Sequence, residues 1–216
     1  MIGNPVDYDK KFKADFPKFS SGLDPILKRY LDFVPGKNVL DLGIGYGRNS
    51  IPLQNMGFNV TGVDYSHNSI DKCRKTCSEI NLIQSDIRSF NIEPNKFDLI
   101  LSRCVLHFLH KDDAFSIMNS MKDNVKENGL VYLNVFSASD FRRKKCQVLE
   151  NFECLEDNVF HNLLDDSYMS FYTKDEILGV FDGFKTLFVS DECFLDVERD
   201  VPCFCGVIKY IGMRES

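Results

Sequence analysis

Short apolar runs alternate with helical segments along most of this chain, and that alternation restricts the folds open to it. Five such runs lie between residues 38 and 136, and each has the length of one buried strand. They read NVLDL, FNVTGVD, NLIQSD, FDLILS and GLVYLNVF. Strands that alternate with helices form a parallel sheet with helices on both faces. The sequence therefore predicts a doubly wound α/β fold.

The C-terminal part of the chain departs from this rhythm. The runs FKTLFVSDECFLDV and VPCFCGVIKYIG are joined by a short polar turn. A parallel crossover needs a dozen residues or more, so these two runs are too close together for one. They predict an antiparallel hairpin at one end of the sheet.

Charge and composition exclude several classes of protein. The formal net charge of −6 argues against a nucleic-acid partner, which needs a basic surface. The chain opens without an apolar signal segment and contains no run long enough to span a membrane, so we expect a cytoplasmic protein with no membrane partner. The eight cysteines are then expected to be reduced, and no metal site is predicted. The alternative, a site built from Cys73, Cys77, Cys203 and Cys205, lacks the clustered spacing of a zinc module.

The stretch VLDLGIGYGRNS, residues 39–50, places three alternate glycines directly after the first predicted strand. Such loops hold nucleotides because glycine lets the backbone approach the ligand. A dinucleotide fingerprint requires its third glycine at position 48, where this chain has Arg48. Asp41 would also repel a pyrophosphate bound at the loop. An NAD-dependent oxidoreductase is therefore the less favoured interpretation.

The same loop suits S-adenosylmethionine, which lacks phosphate and carries a sulfonium, an ammonium and a carboxylate. Asp41 suits the ammonium, and the helix start beyond the loop, together with Arg48, suits the carboxylate. Asp64 lies about twenty residues after the loop, where a carboxylate can accept hydrogen bonds from ribose hydroxyls. NAD-binding domains also have a carboxylate at the position of Asp64. The preference for S-adenosylmethionine over NAD therefore rests on the glycine loop and on Asp41.

Four stretches of the chain carry a resemblance to a known family. VLDLGIGYGRNS, VTGVDYSHNSI, LIQSDI and FDLILSRCVLHFL resemble, in order and spacing, the cofactor motifs of class I S-adenosylmethionine-dependent methyltransferases. The stretches GRNS, SRCVLHFL and FYTKDEILGVF look more like the small-molecule branch that includes the tellurite-resistance methyltransferases. The resemblance implies S-adenosylmethionine as the methyl donor. It also implies a Rossmann-like, doubly wound, seven-stranded sheet, mostly parallel, with the C-terminal antiparallel hairpin.

The resemblance also implies which residues bind the cofactor. Asp64 would hold the ribose, and Tyr65 would lie against the adenine. Asp86 would accept a hydrogen bond from the adenine amino group, unless it only caps the turn after its strand. Ser102 and Arg103 would lie near the sulfonium. The full implied set is Asp41, Gly43, Ile44, Gly45, Arg48, Asn49, Asp64, Tyr65, Asp86, Ile87 and Ser102.

Methyl transfer is an in-line displacement at a carbon that the sulfonium already activates. Positioning and exclusion of water therefore supply most of the catalysis, and no catalytic residue is evident in the sequence. His107 and Arg103 are the candidates. The unperturbed pKa of histidine suits base catalysis. A histidine among Leu106, Phe108 and Leu109 is also typical of a packed structural position.

The residues after the fourth predicted strand limit the classes of methyl acceptor that are expected. Amino-directed nucleic-acid methyltransferases carry [DN]-P-P-[YF] there, whereas this chain has Ser102-Arg103-Cys104-Val105. With the acidic charge, this favours a small molecule or small anion, and Arg103, Arg142 and Arg143 could assist an anionic acceptor. The alternatives are a non-catalytic S-adenosylmethionine-binding protein and a methyltransferase that acts on RNA or protein. The sequence contains no signal for an oligomeric state.

We expect a single methyltransferase domain over residues 1–216, in four parts. These are an N-terminal helical cap (1–36), the cofactor-binding core (37–136), an insert or lid (137–172), and the last helix with the terminal hairpin (173–216). The insert is far longer than an ordinary connection, and its aromatic residues argue against disorder. In the cap, Tyr8, Phe12, Phe16 and Phe19 could close over the cofactor.

Overall fold

The computed structural model describes residues 22–196 and 203–215. The four cap aromatics that we expect to close over the cofactor, Tyr8, Phe12, Phe16 and Phe19, lie outside the described residues. The turn of the C-terminal hairpin lies outside them as well. Of the expected cap, the structure describes the part from Gly22 onward.

Helices and strands alternate through most of the first half of the chain, as the apolar runs predict, but residues 85–98, between the third and fourth strands, form turns and no helix. The helices are α1 (Pro25–Arg29), α2 (Ser50–Asn55), α3 (His67–Thr76), α4 (Lys111–Asn124), α5 (Phe141–Val148) and α6 (Lys174–Val180), with short 3-10 helices at Leu31–Phe33 and Leu106–Phe108. The strands are β1 (Asn38–Leu42), β2 (Asn59–Asp64), β3 (Asn81–Gln84), β4 (Leu99–Arg103), β5 (Leu130–Phe136), β6 (Phe152–Glu156), β7 (Val159–Asn162), β8 (Ser167–Ser170), β9 (Phe184–Asp196) and β10 (Cys203–Arg214).

Seven strands form one sheet in the order β3-β2-β1-β4-β5-β10-β9. β1 lies parallel to β2 and to β4, and β4 lies parallel to β5. β10 pairs antiparallel with both β5 and β9. The predicted fold is therefore confirmed, including the terminal hairpin. Because the strand order reverses at β1 and β4, their carboxyl ends flank the crevice where sheets of this kind bind ligands.

The sheet is covered on both faces, which explains why most residues of its central strands are apolar. Leu40 and Leu42 of β1 pack into the cluster on one face, and Val39 packs into the cluster on the other. On α4, Met118 and Met121 belong to the first of these clusters. The helix therefore packs against the sheet through the face that carries these two residues. These two layers fix the carboxyl ends of the strands in place.

The segment after β5 forms a small unit of its own. α5 is followed by a three-stranded antiparallel sheet in the order β6-β7-β8. The segment leaves and rejoins the core at one point, where Ser137 pairs with Tyr172 and the Ala138 amide donates to the Tyr172 carbonyl at 2.8 Å. Its interior contains Phe160 and Phe171. Residues 137–172, which we call the insert, thus start and finish at a single neck.

Asp140 ties the insert to the main sheet. Its enclosed carboxylate accepts the Arg142 amide at 2.7 Å, which caps the start of α5. The same carboxylate pairs with the Arg142 guanidinium at 2.7 and 2.6 Å and accepts the Gly206 amide of β10 at 2.7 Å. One side chain therefore joins the helix cap, a buried ion pair and the sheet.

We expect Asp140→Ala to lower the free energy of unfolding by about 3 kcal/mol, because it leaves the Arg142 guanidinium without its buried partner. Urea unfolding followed by circular dichroism measures this change. Asp157→Ala is the matched control, because its carboxylate is exposed and pairs with Arg143 at 3.3 Å on the surface. It should change stability by less than about 1 kcal/mol. Equal effects of the two substitutions would contradict the assignment.

Candidate active site

The glycine loop connects β1 to α2 at the carboxyl edge of the sheet. Gly43, Gly45 and Gly47 have φ angles of +79°, +54° and +76°, a region that L side chains rarely adopt. A Cβ atom at Gly43 would lie 2.3 Å from the Val105 side chain. The loop therefore packs directly against the segment that follows β4. The Ile44 side chain is buried in the core, so this residue offers its backbone to the loop rather than its side chain.

Asp64, the last residue of β2, faces the glycine loop. One carboxylate oxygen accepts the Gly45 amide at 2.8 Å, and the other accepts the Ser66 amide at 2.8 Å. Ser66 also caps α3, because its hydroxyl accepts the Ser69 amide at 3.1 Å. The carboxylate is thus oriented by the backbone of two elements, at the place where the sequence predicts a ribose contact.

Asp41 lies beneath the same loop and is almost wholly enclosed. Its carboxylate accepts the Ser50 hydroxyl at 2.6 Å. Burial raises the pKa of Asp41 to about 7, and the charge of Asp64 adds to that effect, while the Ser50 hydrogen bond and the charges of Arg48 and Arg103 oppose it. A carboxylate whose charge is disfavoured in this way is stabilised by a cation that binds next to it.

Arg103 and Asn49 join the described start of the chain to the loop. The Arg103 guanidinium donates to the Asn49 side-chain oxygen at 3.1 Å and lies 3.6 Å from the Asp24 carboxylate. That Asn49 oxygen also accepts the Asp24 amide at 3.2 Å. The hydroxyl of Ser102 donates to the Leu42 carbonyl at 3.2 Å. These contacts hold backbone elements together at the site.

Arg48 lies beside Cys104, just beyond the end of β4. Burial, followed by the nearby Arg103 charge, lowers the pKa of the Arg48 guanidinium, while a hydrogen bond with Cys104 opposes that change. Cys104 has a φ of +60°, and its thiol donates to the Asn134 side-chain oxygen at 3.3 Å. Arg48 is thus a second basic side chain next to the glycine loop, after Arg103. The sequence predicts that it contacts the carboxylate of the cofactor.

On the adenine side of the expected site, Asp86 is paired with Arg88, two residues later. Its carboxylate oxygens accept from the Arg88 backbone amide at 2.9 Å, from Nε at 2.9 and 3.1 Å, and from a terminal nitrogen at 2.5 Å. These three N–H groups take up most of the accepting sites that a carboxylate offers. Asp86 therefore caps its turn, and its contact with the adenine stays a prediction. The Ile87 side chain packs in the core, and Tyr65 is exposed.

His107, a catalytic candidate, is completely enclosed within the 3-10 helix after β4. Its ring stacks on Phe136 at 3.3 Å and meets Phe108 edge-on at 4.4 Å. Neither ring nitrogen has a hydrogen-bond partner among the described residues. Burial, and after it the charge of Arg142, lowers the pKa of His107 well below its usual range. The imidazole is therefore neutral at physiological pH.

Two residues at this site escaped the sequence reasoning. Ser50, which donates to Asp41, is the first residue of α2 and carried only the weak signal of a hydroxyl after a glycine loop. Asn134 is the one polar residue in the run GLVYLNVF, near the carboxyl end of β5. A lone polar residue at that end of a buried strand is a signal that could have been used.

Other kinds of site receive no support from residues 22–196 and 203–215. Within those ranges no three His, Cys, Asp or Glu side chains are grouped so that they could hold a metal ion. The cysteines whose side chains the structure describes are free of disulfide bonds: Cys73, Cys77, Cys104, Cys146, Cys154, Cys193 and Cys205. No helix in the described part of the chain is long and apolar enough to cross a membrane.

Comparisons with known proteins agree with this geometry. Residues 39–129 match the family described as "Methyltransferase domain". The chain is 40% identical over 95 residues to the probable S-adenosyl-L-methionine-dependent methyltransferase TehB of Haemophilus influenzae (strain ATCC 51907 / DSM 11121 / KW20 / Rd). This match covers 42% of this chain and 33% of TehB. The chain is 30% identical over 111 residues to an uncharacterized methyltransferase of Schizosaccharomyces pombe, which covers 50% of this chain and 77% of that one.

The crystal structure of TehB from Haemophilus influenzae has the same fold, with a TM-score of 0.70 at 20% sequence identity over 97% of this chain and 67% of that chain. With its sheet order, its glycine loop and these matches, the chain belongs to the class I S-adenosylmethionine-dependent methyltransferases. Within that family it is similar to TehB, in the tellurite-resistance branch. The chain spans about a third of the length of the curated TehB sequence.

The site residues fit the cofactor of this family, S-adenosylmethionine. Asp41 supplies a carboxylate that burial leaves in need of a cation, and the cofactor carries an ammonium. The glycine loop leaves the backbone open at Gly45, where an added Cβ would meet nothing within 4 Å. Asp64 stands beside that open backbone.

The raised pKa of Asp41 predicts opposite effects on stability and on cofactor binding. The folded carboxyl has a pKa of about 7, whereas the pKa of the unfolded carboxyl is 3.8. Its contribution to stability is therefore full below about pH 4 and is lost as the pH rises to about 7. Asp41→Asn should stabilise the ligand-free protein at pH 8 by on the order of 3 kcal/mol, and by much less at pH 4.

Cofactor affinity of the wild type should fall below pH 7, because a protonated Asp41 no longer attracts the ammonium. Calorimetric titration with S-adenosylhomocysteine between pH 5.5 and 8.5 measures this change, and urea unfolding over the same range measures stability. In Asp41→Asn, the affinity should be at least about tenfold weaker at pH 8 and nearly independent of pH. A pH-dependent affinity retained in Asp41→Asn would assign the titration to another group.

The Asp86–Arg88 contacts give a separate prediction for the adenine side. Asp86→Ala should leave the dissociation constant of S-adenosylhomocysteine within about threefold of wild type, because Arg88 already occupies most of the accepting sites of the carboxylate. It should lower stability by about 1 kcal/mol, since this ion pair is partly exposed. Asp113→Ala, which removes a second carboxylate 4.0 Å from Arg88, is the control. A tenfold loss of affinity in Asp86→Ala alone would show that Asp86 binds the adenine.

Proposed function

We propose that this chain transfers a methyl group from S-adenosylmethionine to a small-molecule acceptor. The observation that carries the proposal is the arrangement of Asp41, the glycine loop and Asp64 at the carboxyl ends of two adjacent parallel strands. Family membership supports the reaction class. The acidic net charge of −6 supports an acceptor other than a nucleic acid.

The bound cofactor supplies a methyl group on a positively charged sulfur, which makes that carbon electrophilic. In the proposed complex, Asp41 accepts hydrogen bonds from the ammonium, directly or through water. Asp64 accepts hydrogen bonds from the ribose hydroxyls, and Tyr65 lies against the adenine. Arg48 attracts the cofactor carboxylate. These contacts hold the donor in one orientation, which is the main requirement for an in-line displacement.

Arg103 acts in this proposal as a positioning residue. Its guanidinium is engaged by Asn49 and Asp24, and so it fixes the loop relative to the end of β4. The loss of Arg103 would therefore loosen the cofactor site as a whole. An acceptor anion would have to compete with these contacts for the guanidinium.

The insert, residues 137–172, is proposed as the lid of a single domain. It begins directly after the carboxyl end of β5 and contacts the segment of the 3-10 helix after β4. There the Ser170 hydroxyl donates to the Leu109 carbonyl at 2.6 Å. The Tyr172 hydroxyl donates to the Leu106 carbonyl at 3.3 Å in the same place. A lid here excludes water from the space between the donor and the acceptor.

Removing Asp64 tests the proposal. Asp64→Ala should weaken S-adenosylmethionine binding at least about tenfold, or about 1.4 kcal/mol, because the ribose and loop contacts are both lost. Calorimetric titrations with S-adenosylmethionine, S-adenosylhomocysteine and NADH measure the affinities. Asp71→Ala is the control, because this partly exposed α3 carboxylate pairs with His67 and Arg74 on its own helix. Binding of NADH alone by the wild type would overturn the proposed cofactor.

Turnover separates the proposal from its alternatives. A non-catalytic S-adenosylmethionine-binding protein would bind the cofactor and release no S-adenosylhomocysteine with any acceptor. An enzyme that acts on RNA or protein would transfer labelled methyl groups into the macromolecular fraction of a cell extract. The proposed enzyme would transfer them into the small-molecule fraction.

A further inference from the structure

Asp24 is a buried carboxylate beside the cofactor loop, and it lies outside the four stretches that resemble cofactor motifs. The residue is 2% exposed. One carboxylate oxygen accepts the Ile26 amide at 2.9 Å and thereby caps α1. A neutral asparagine or serine caps a helix about as well as aspartate does, and a buried charge is costly unless other charges compensate it. The helix cap therefore does not explain why a charged residue stands here.

The second oxygen of Asp24 lies near two cations. It is 3.6 Å from the Arg103 guanidinium and 3.8 Å from the Lys209 ammonium. Arg103 at the end of β4 and Lys209 of β10 both pair in register with Asn134 of β5, so their side chains lie on the same face of the sheet. These two side chains are 12% and 16% exposed, so solvent screens their charges weakly. Asp24 thus bridges two largely buried cations across β5.

Glu192 of β9 adds a second carboxylate to this group. It lies 3.3 Å from the Lys209 ammonium, and its side chain is 41% exposed. Glu192 therefore offsets the charge of Lys209 at the surface, and Asp24 offsets the charge of Arg103 in the interior. Because the two cations and the two carboxylates balance, the removal of Asp24 would leave one positive charge without compensation.

Arg103 borders the expected position of the sulfonium. The sequence predicts Ser102 and Arg103 there, and the sheet order supports this, because β4 lies next to β1, whose carboxyl end carries Asp41. In the proposed complex the ammonium lies at Asp41 and the ribose at Asp64, and the sulfur connects those two parts of the cofactor. Its methyl group then faces the end of β4, on the side of β1 away from β2.

A guanidinium beside a sulfonium is unfavourable, because like charges repel, and the repulsion is stronger where water is excluded. The field of Arg103 extends to the glycine loop: burial, and after it the charge of Arg103, lowers the pKa of the Arg48 guanidinium. S-adenosylmethionine carries one more positive charge than S-adenosylhomocysteine, the product of the reaction. An uncompensated Arg103 would therefore weaken binding of the donor and leave binding of the product nearly unchanged.

We propose that Asp24 is a specificity-determining residue of this site. Its carboxylate cancels the charge of Arg103, so that the site binds the cationic donor S-adenosylmethionine as readily as the neutral product. This inference rests on the proposed function and deepens it. Arg103 keeps its positioning contact with Asn49, and Asp24 removes the electrostatic cost of placing a guanidinium there. The start of α1 therefore contributes to cofactor selection through its charge.

Asp24→Asn isolates the charge, because asparagine has nearly the same shape and also caps helices. Asp98→Asn is the matched control. Asp98 is also a buried carboxylate; it accepts the Asn38 amide at 2.9 Å and the Lys126 ammonium at 3.0 Å. It lies directly before β4, at the amino edge of the sheet and so at the opposite edge from the site. Both substitutions remove one buried, ion-paired charge.

Calorimetric titration with S-adenosylmethionine and S-adenosylhomocysteine, at one pH and one ionic strength, measures the selection. In Asp24→Asn the dissociation constant for the donor, divided by that for the product, should rise at least about fivefold over wild type. In Asp98→Asn this ratio should stay within about twofold of wild type. The melting temperatures of the two variants show whether the loss of stability is comparable.

Sinefungin separates the charge of the donor from the size of its methyl group. This analogue carries an ammonium on a carbon atom in place of the methylated sulfur. Its affinity for Asp24→Asn should fall in parallel with that of S-adenosylmethionine, because both ligands carry the additional positive charge. A loss confined to S-adenosylmethionine would mean that the substitution affects the space for the methyl group, and would overturn the proposal.

Two further variants test the role of Arg103 as the source of the repulsion. In the double variant Asp24→Asn/Arg103→Gln, the ratio should return to within about twofold of wild type, although both affinities are lower because Arg103 also positions the loop. Arg103→Gln alone should change the ratio in the opposite direction, in favour of the donor, because Asp24 then lacks its guanidinium partner. This single variant also tests the proposal if Asp24→Asn does not fold.

The outcomes distinguish this inference from the proposed function. If Asp24→Asn weakens donor and product equally, or if Asp98→Asn shifts the ratio as much, Asp24 has only a structural role and the cofactor assignment stands. If the double variant keeps the shifted ratio, the charge of Arg103 is not the cause and the inference fails. If the wild type binds neither S-adenosylmethionine nor S-adenosylhomocysteine, the proposed function itself fails, and the inference fails with it.

Discussion

The arrangement of the site depends on the hydrogen bonds that the Asp64 carboxylate accepts from two backbone amides. By accepting amides from the glycine loop and from the start of α3, this carboxylate joins the ends of β1 and β2 and sets the loop's position. The loop in turn packs on Val105, which begins the segment that carries His107. A chain of short contacts thus runs from the expected ribose position to the expected acceptor position. Its rigidity comes from the sheet beneath it, which is buried on both faces.

Two groups at this edge are held in states that do not favour the ligand-free fold. Asp41 is a buried carboxylate with a raised pKa, and His107 is a buried imidazole with two unsatisfied nitrogens. Asp140, by contrast, is satisfied by its contacts with Arg142 and Gly206. Costs of this kind at the edge of a sheet are typical of a functional site, where ligands complete the interactions.

Much of the fold and part of the site could be predicted from local sequence. The spacing of the apolar runs predicted the positions of the strands. The spacing of the glycines, together with Asp41 and Asp64, indicated the cofactor. Asp86 shows where that reasoning ends: its motif position predicts an adenine contact, and the structure adds a pairing with Arg88, two residues later, that the motif does not encode. That pairing depends on the geometry of one turn, which the motif alone does not specify.

By itself, the sequence determined which segments form strands, where the glycine loop lies and which class of reaction the chain resembles. These features follow from short-range periodicity and from residue spacing. Only the tertiary structure decided the partners of Arg103, the insert's three-stranded sheet and the complete burial of His107. Each of these depends on residues far apart in the chain: Arg103 meets Asn49 and Asp24, and His107 lies against Phe136. Such contacts are set by how the layers pack, and no local pattern encodes them.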